Sequence, residues 1–508
     1  MSTADTLTSL PVIREENEHH VESGRTTRVI RGLSWTLGSQ LFSRGVNVLM
    51  GIVLARILVP EDYGVFGLAI LVVNILIGIN DVGMTMAVVR WTGDIRTAAR
   101  TAVTLSVLFS LGLYALVYAG APAYAAYMNA PDATAMLRVL ALVLVLDGVT
   151  AVPSAILIRE FQQPRLARAE LVTLPIGVGV TLAFAFAGAG GWSLVAGQLV
   201  GNVTMAIALV VLAGQWLRPG FDAAAARSMI VFSLPLAMTS LIEYVLLNAD
   251  YFIVGRVLGT LSLGFYVLAF NVSSWPVTAV TQSIRRVSIS EFASMQDSPG
   301  QLDKAFRAGF VVLVKVMLPL VMGLSLLSGP FLRLVFGHQW APAAPVLAWL
   351  AVLGGVRVAQ GLVFDVLVAV GRSMATLVVK LVWLAALVPA LVAAAHYGDI
   401  KTVAMAHAAV AVLVSLPMFL LASRLVGVRL SALWPQLVRP AVAGVCAGVA
   451  ATLVQLVAGS DLMRLLAGGA VLLFVYTAIA FPGLMWTWPA DAGRHRRRRR
   501  RTRRAGHR

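Results

Sequence analysis

Fourteen apolar runs of 20 or more residues follow one another between residues 33 and 486, with short polar breaks between them. A helix needs about 20 apolar residues to cross about 30 Å of hydrocarbon. The runs are continuous, whereas strands of a membrane barrel are about 10 residues long and alternate in polarity. Because 59% of all residues are hydrophobic and 12% are charged, a water-soluble globular protein is excluded. The sequence therefore predicts an all-α, polytopic membrane protein with about 14 transmembrane helices.

The loop charges predict the orientation of these helices. If the N-terminus is cytoplasmic, the loops on that side carry sixteen Arg and Lys residues, and the loops and span ends on the other side carry six. The positive-inside rule then places both termini in the cytoplasm and the protein in the cell membrane. No apolar run lies close behind Met1, so we expect no cleaved signal peptide.

The C-terminal residues 494–508 contain ten Arg. Two interpretations stay open: the segment binds the anionic headgroups of membrane lipids, or it is a disordered basic tail that only follows the topology rule. We do not expect a nucleic-acid partner, because no folded nucleic-acid-binding module accompanies the run.

Two stretches of the chain resemble each other at an offset of 200 residues. Residues 53–72 and 253–272 share six identical positions, and Phe66 matches Tyr266 conservatively. The identical pairs are Arg56/Arg256, Leu58/Leu258, Gly64/Gly264, Leu68/Leu268, Ala69/Ala269 and Val72/Val272. Each stretch joins the first two helices of a set of six, and an even number of spans keeps the two sets in the same orientation. The match therefore predicts two parallel six-helix repeats followed by two C-terminal helices.

This pattern divides the chain into five segments. They are a disordered cytoplasmic tail (1–30), an N-terminal six-helix lobe (31–228), a C-terminal six-helix lobe (229–423), two extra transmembrane helices (424–488) and an Arg-rich cytoplasmic tail (489–508).

No motif in the chain indicates catalysis or a cofactor. The sequence has no Walker loop, no HExxH pair and no Gly-rich phosphate loop, and its longest internal polar stretch, about 285–305, is too short for a catalytic domain. We interpret the scattered His338, His396 and His407 as packed or capped residues. The sequence thus predicts neither an enzyme nor a bound metal, and favours transport across the membrane.

Ionisable and polar residues within the apolar runs mark the candidate site, because such groups are costly in hydrocarbon and usually face a bundle interior or a wet cavity. On the first run Thr36, Gln40, Arg44 and Asn47 form one polar stripe at spacings of four, four and three. The predicted substrate-cavity residues are Gln40, Arg44, Asn47, Asp147, Glu243, Lys315 and Arg357. The residues predicted to couple transport to an ion are Asp147, Glu243 and Asp250.

A second interpretation of these charges stays open. Glu243 paired with Lys315 or with Arg357 would hold helices together without binding a substrate. Nearer the ends of runs lie Asp81, Asp250, Asp365 and Lys380.

Four stretches resemble one family of bacterial exporters. Residues 31–70 read RGLSWTLGSQLFSRGVNVLMGIVLARILVPEDYGVFGLAI and are similar to its opening helix and "LARxLxPxDYGxF" turn. Residues 80–90 (NDVGMTMAVVR) resemble its "DxGLxxAxxR" helix end, and residues 153–171 (PSAILIREFQQPRLARAEL) its loop after the fourth helix. Residues 256–296 resemble its "LGxxxLGxYxxAxxLxxxP" stretch. The family is the Wzx-type polysaccharide flippases, nearest the colanic-acid and teichuronic-acid branch. It shares a superfamily with the lipid II flippases and the multidrug and toxin extrusion antiporters.

The resemblance implies that the protein flips undecaprenyl-diphosphate-linked oligosaccharide repeat units from the cytoplasmic to the outer leaflet, by alternating access. It also implies a fold of two six-helix lobes with two added helices, and a polar central cavity with cationic residues. Arg44 suits this cationic role. Polysaccharide polymerase machinery is a further candidate partner. Within transport, a drug/cation antiporter and a lipid II-type flippase remain alternatives. An antiporter would more naturally carry a carboxylate on its first helix, where this chain has Arg44.

Overall fold

A computed structural model describes residues 42–160, 162–213, 218–295 and 298–482, and these residues form helices joined by short turns, without strands. Gln40 and the two predicted tails lie outside the described residues. The first helices are α1 (42–57), α2 (Pro60–Val89), α3 (Ile95–Tyr127), α4 (Ala133–Leu140), α5 (Leu142–Arg159), α6 (Gln163–Phe186), α7 (Trp192–Ala213) and α8 (Ala223–Ser294). The others are α9 (Pro299–Leu326), α10 (Ser328–Val335), α11 (Ala344–Ala369), α12 (Ser373–Tyr397), α13 (Ile400–Val410), α14 (Leu416–Ser423), α15 (Trp434–Val457) and α16 (Asp461–Ala480).

Twelve helical segments of the described chain are long and apolar enough to cross a membrane. One of them, Ser240–Thr281, has 42 residues, which at ~1.5 Å per residue is about twice the thickness of the hydrocarbon. Gly259 interrupts it with φ 84° and ψ 174°, a left-handed conformation that favours glycine. The break divides α8 into a first arm (223–258) and a second arm (260–294), which correspond to the seventh and eighth predicted spans. Thirteen predicted spans thus match described helices, and the first begins outside them.

The described helices pack into two compact units. Of the described residues, the N-terminal unit comprises 42–57, 72–122 and 134–241, and the C-terminal unit comprises 58–71, 123–133 and 242–482. The change between units falls inside the first arm of α8, and Met229 near the start of this arm is buried in the core of the N-terminal unit. The five predicted segments, with a boundary between residues 228 and 229, stay a prediction.

The two repeat stretches contact each other within the C-terminal unit, where α2 and the second arm of α8 begin. A Cβ atom on Gly64 would overlap the carbonyl oxygen of Thr260, and one on Gly264 would overlap the carbonyl oxygen of Pro60. Gly64 thus contacts the residue four positions before Gly264, and Gly264 contacts the residue four positions before Gly64. Such reciprocal contacts are expected when two repeats are related by a two-fold axis. Only glycine allows two backbones to approach this closely.

Arg159 closes the C-terminal end of α2 from another helix of the N-terminal unit. Its Nη1 donates to the carbonyl oxygens of Val88 (3.1 Å), Val89 (3.0 Å) and Trp91 (2.7 Å). The last carbonyls of a helix have no partner within the helix, and here a guanidinium supplies one. Arg159 belongs to the family-like stretch 153–171 and Val88 to the family-like stretch 80–90. This contact therefore gives both stretches a structural role.

We expect Arg159→Met to lower stability by about 2–3 kcal/mol, because it leaves three carbonyls without a charged donor while keeping most of the apolar stem. The apparent melting temperature of the detergent-solubilised protein, followed by size-exclusion chromatography, measures the effect. Arg165→Met is the matched control, since Arg165 is exposed and, within the described parts of the chain, its Nη1 bonds only to Gln162 in the adjacent turn. Equal melting temperatures for the two variants would contradict the capping role.

The two extra helices form a pair that packs against α9. Ala443, Ala447 and Ala451 on α15 are fully buried in one cluster with Leu472 and Tyr476 of α16. Small residues at every fourth position let two membrane helices approach closely. The helices α15 and α16 therefore form part of the packed C-terminal unit.

Candidate functional site

A cavity of about 470 Å³ lies within the C-terminal unit, between the two arms of α8 and helices α11, α12 and α14. This volume is in the range of small-molecule sites. Its charged and amide-bearing lining residues are Glu243, Arg357, Gln360, Asp365 and Lys380. Its aromatic lining residues are Phe364, Trp383 and Phe419. The cavity thus combines both signs of charge with aromatic surface.

An ion pair spans one wall of the cavity. Lys380 Nζ donates to Glu243 Oε2 at 3.0 Å and also lies 4.8 Å from the centre of the Phe364 ring. The side chain of Glu243 is 53% exposed, while that of Lys380 is 11% exposed. Among the described residues Glu243 forms its ion pair with Lys380 of α12, and not with Lys315 or Arg357, the two partners that the sequence suggests.

Two hydrogen-bond donors in this cavity have no acceptor among the described residues. Arg357 lies with its guanidinium carbon 5.7 Å from the centre of the Phe270 ring and donates a hydrogen bond to no residue in the described parts of the chain. The indole Nε1 of Trp383 is buried and also lacks a partner there. A buried donor without an acceptor is costly, so both groups are suited to receive an acceptor from a ligand.

Gln360 connects the cavity to an irregular turn of the helix pair α13–α14. Its Nε2 donates to Ser415 Oγ at 2.9 Å. Ser415 ends a π-helical turn, Ala411–Ser415, between α13 and α14. Such turns interrupt an α-helix at a cost and frequently occur at functional sites.

A fully buried polar cluster lies behind the cavity. Asp250 Oδ2 accepts from the Tyr266 hydroxyl at 2.9 Å and from His407 Nδ1 at 3.2 Å, and Asp250 Oδ1 accepts from the backbone N–H of Tyr251 at 2.9 Å. Asp250 and Tyr266 are 0% exposed, and His407 is 3% exposed. His407 is thus a packed residue, as interpreted from the sequence, but it packs against a carboxylate.

Two of the three site residues predicted on the first helix belong to the described residues. Arg44 is half-buried on α1, Asn47 is exposed, and Gln40 lies outside the described residues. Arg44 forms no hydrogen bond or ion pair with the described remainder of the chain. No described residue therefore pairs with Arg44 in a way that would only hold helices together.

Asp147 belongs to a buried chain of hydrogen bonds in the N-terminal unit. Asn80 Nδ2 donates to Asp147 Oδ2 at 2.7 Å, and Ser110 Oγ donates to Asn80 Oδ1 at 3.2 Å. Gly148 lies directly against Ser110, with no room for a Cβ atom. These hydrogen bonds join α2, α3 and α5. The predicted roles of Asp147 in substrate binding and ion coupling stay predictions.

Lys315 lies on α9, away from the cavity lining. Its Nζ is 5.3 Å from the centre of the Phe481 ring, and its carbonyl oxygen accepts from the hydroxyl of Tyr476. Its side chain therefore faces the end of the extra helix pair, and its predicted role in the substrate cavity stays a prediction.

Sequence reasoning missed several cavity residues. Gln360 and Trp383 are neutral residues within apolar runs and give no signal. Lys380 gives one, because it is a charge within a run, but it lies nearer the end of that run than the predicted site residues do. In the structure Lys380 is buried and lines the cavity.

The sequence of this chain matches a known protein family. A family model described as "Polysaccharide biosynthesis protein" matches residues 53–345, more than half of the chain. The chain belongs to this family. Among curated members, it is 25% identical to the succinoglycan biosynthesis transport protein ExoT of Rhizobium meliloti over 65% of this chain and 66% of that protein. It is 23% identical to the lipopolysaccharide biosynthesis protein WzxC of Escherichia coli over 68% and 70%, and 23% identical to the teichuronic acid biosynthesis protein TuaB of Bacillus subtilis over 71% and 75%.

Solved structures place this polysaccharide biosynthesis protein in a known transporter fold. The lipid II flippase MurJ in an inward closed conformation matches with a TM-score of 0.74 and 11% identity, over 89% of this chain and 99% of that one. An inward-facing multidrug resistance MATE family transporter matches with a TM-score of 0.61 and 15% identity, over 77% and 95%. Family and fold confirm the predicted resemblance and the all-α membrane architecture. The chain is thus a polysaccharide biosynthesis protein with a multi-pass membrane architecture.

Proposed function

We propose that this protein flips undecaprenyl-diphosphate-linked oligosaccharide repeat units from the cytoplasmic to the outer leaflet, by alternating access. The observation that carries the proposal is the cavity of the C-terminal unit, which offers the donors of Arg357 and Trp383 beside aromatic surface. Membership of a polysaccharide biosynthesis family supports the class of substrate.

The diphosphate is the part of the substrate that Arg357 would recognise. A guanidinium binds phosphate oxygens through two parallel hydrogen bonds, and it does so without giving up its charge. Arg357 has no competing hydrogen-bond acceptor in the described residues. Lys380, in contrast, is paired with Glu243, which offsets its charge and uses one of the three N–H donors of its ammonium group.

The sugar is the part of the substrate that Trp383 and Phe364 would contact. Ligand pockets pair aromatic surface with a few placed polar groups. The indole N–H of Trp383 supplies one donor, and the amide of Gln360 supplies another polar group beside it. We also propose substrate contact for Gln40, Arg44 and Asn47 of the first predicted helix, and an ion-coupling role for Asp147, Glu243 and Asp250.

The primary test is deletion of the gene in the source organism, followed by mass analysis of the lipid-linked oligosaccharide that accumulates. A flippase defect leaves complete repeat units on the inner leaflet. Accumulation of lipid II would favour the lipid II-type alternative, and altered resistance to cationic drugs with normal glycan export would favour the antiporter. Intact export would contradict the proposal. The same strain reports whether polymerase machinery depends on the protein.

The cavity itself is tested by Trp383→Phe, which removes the indole donor and keeps an aromatic ring. We expect the half-saturating concentration of a fluorescent polyprenyl-diphosphate oligosaccharide in proteoliposomes to rise about three- to tenfold, the value of one hydrogen bond. Trp275→Phe is the matched control, because Trp275 packs against Phe336 and does not line the cavity. Equal values for both variants would remove Trp383 from the site.

We also propose that both termini are cytoplasmic. Reporter fusions after Arg464 and after Arg504 are expected to report the outside and the inside respectively. The reason is the excess of Arg and Lys in the loops on the side of the N-terminus. The reverse pattern would refute this topology.

A further inference from the structure

A second cavity, of about 440 Å³, lies within the N-terminal unit, between the end of α2 and the start of α8. Its lining includes one basic side chain, that of Arg90, and the hydroxyl groups of Thr92 and Ser228. No carboxylate belongs to this lining in the parts of the chain that the structure describes. The cavity of the C-terminal unit carries both signs of charge, whereas this one is cationic and therefore favours an anion.

Two hydrogen-bond donors at this cavity lack an acceptor among the described residues. The guanidinium carbon of Arg90 lies 5.8 Å from the centre of the Phe232 ring, and the Arg90 side chain forms no hydrogen bond or ion pair with the described chain. The indole Nε1 of Trp91 is buried and has no partner in it either. A Cβ atom on Gly93 would lie 3.0 Å from this nitrogen, so glycine leaves the donor uncrowded. Because a buried donor without an acceptor is costly, an occupant with acceptor oxygens would stabilise this part of the protein.

The negative groups that adjoin the cavity are already engaged. The C-terminal end of a helix carries a partial negative charge, which disfavours an anion beside it. At the end of α2 the guanidinium of Arg159 offsets this charge, because its Nη1 donates to three carbonyl oxygens there. The next carboxylate along the chain, that of Asp94, caps α3 and accepts from the backbone N–H groups of Arg96 and Thr97 and from the Thr97 hydroxyl. An anion in the cavity therefore meets neither a bare helix end nor an unbonded carboxylate.

The cavity lies at the depth of the lipid headgroups. Helix α2 has 30 residues, which at ~1.5 Å per residue span about 45 Å. This length matches a bilayer together with its headgroup regions, so Arg90 and Trp91, which follow the last residue of α2, lie at the level of the headgroups. The neighbouring start of α8 exposes Ile230, Val231 and Leu234, and these side chains offer apolar surface to acyl chains. An anion at this place is therefore best supplied by a phospholipid.

We propose that this cavity binds the headgroup of an anionic phospholipid, with Arg90 and Trp91 as its phosphate-binding residues. A guanidinium binds phosphate oxygens through two parallel hydrogen bonds, and the indole N–H adds a third donor. The hydroxyls of Thr92 and Ser228 offer hydrogen bonds to the polar end of the headgroup. Bound in this way, the lipid attaches the turn between α2 and α3 to the membrane surface. The site uses no residue of the cavity in the C-terminal unit, so it does not depend on the proposed substrate.

The test is a lipid titration of the full-length, detergent-solubilised protein, followed by native mass spectrometry. The probes are phosphatidylglycerol, which is anionic, and phosphatidylcholine, which carries no net charge. We expect the wild type to bind the first phosphatidylglycerol about fivefold or more tightly than phosphatidylcholine. Arg90→Gln should weaken phosphatidylglycerol binding about tenfold, and Trp91→Phe about three- to tenfold. Arg90→Lys should fall between Arg90→Gln and the wild type, because the charge remains and the two-pronged geometry is lost.

The matched control is Arg96→Gln, which removes the same charge from an exposed position at the start of α3 that does not line the cavity. It should bind phosphatidylglycerol like the wild type. Equal affinities of Arg90→Gln and Arg96→Gln would show that the lipid responds only to overall charge, and would overturn the site. A wild type that binds phosphatidylglycerol no more tightly than phosphatidylcholine would overturn it as well, and this measurement requires no variant to fold.

Two competitors distinguish the source of the phosphate group. Inorganic phosphate and farnesyl diphosphate are added separately to the complex of the wild type with phosphatidylglycerol, and we expect neither to displace the lipid at equal concentration. Displacement by inorganic phosphate would show a site for the free ion and refute the lipid. Displacement by farnesyl diphosphate that is lost in Arg90→Gln would assign the cavity to a polyprenyl diphosphate and refute the phospholipid.

Discussion

Gly64→Ala is expected to reduce the amount of folded protein severely, although it adds only one methyl group. The added Cβ would overlap the carbonyl oxygen of Thr260. That atom belongs to a helix backbone and cannot rotate aside, so the two helices must separate. Overpacking typically costs about 1–3 kcal/mol and occasionally more, and a backbone contact falls at the upper end. The yield of monodisperse protein and its apparent melting temperature measure the effect.

The reciprocal change, Gly264→Ala, should have a similar effect, because its Cβ would meet the carbonyl oxygen of Pro60. Gly112→Ala is the matched control, since Gly112 lies within α3 and a Cβ there has no neighbour within 4 Å. The control should be neutral or slightly more stable, as alanine favours a helix over glycine. Wild-type stability of Gly64→Ala would show that the two backbones are farther apart than described.

Arg44→Ala is expected to abolish export while the protein remains in the membrane at its normal level. Arg44 has no hydrogen bond or ion pair in the described part of the chain, so its removal leaves no buried partner uncompensated. A charge near the middle of a span nevertheless costs at least about 2.5 kcal/mol on insertion scales. We propose that the charge is kept because it meets the diphosphate during flipping. Arg44→Lys should retain part of the activity, because the charge remains and the two-pronged geometry is lost.

Export is measured as surface polysaccharide per molecule of protein in the membrane fraction. Arg96→Ala removes one positive charge from an exposed position at the start of α3 and should leave export unchanged. If Arg44→Ala instead fails to accumulate, and export per molecule stays normal, Arg44 has a structural role.

The fold could be predicted from the sequence because hydrocarbon leaves few choices. Runs of 20 or more apolar residues must form helices, and the described helices follow them. The break at Gly259 is less visible. The end of one apolar run and the start of the next predict a loop around this glycine, but the segment contains a single helix breaker, so α8 passes through it with one interruption.

The family-like motifs can be recognised in the sequence, and the structure gives three residues of one motif a physical cause. In the "LGxxxLGxY" stretch, Gly259 adopts a left-handed conformation, Gly264 permits a backbone contact, and Tyr266 donates to Asp250. None of these partners is adjacent in sequence. Patterns can indicate that a residue type is required but not which distant atom requires it.

Only charged residues of the candidate site could be predicted from the sequence. Glu243 and Arg357 stand out because charges are rare in apolar runs, and both line the cavity. The pairing of Asp250 with His407, which are 157 positions apart, depends on how α8 and α13 pack. That packing is set by many weak apolar contacts, which no short pattern encodes.

The ion pair of Glu243 and Lys380 has a consequence for how ligand binding in the cavity depends on salt. Two cations and two carboxylates line the cavity, so its lining has no formal net charge. A cationic funnel attracts anions over a distance of about one Debye length and weakens as salt is added. A balanced lining gives no such long-range attraction. Ligands should then be selected by contact within the cavity, and their affinity should change little between low and physiological ionic strength.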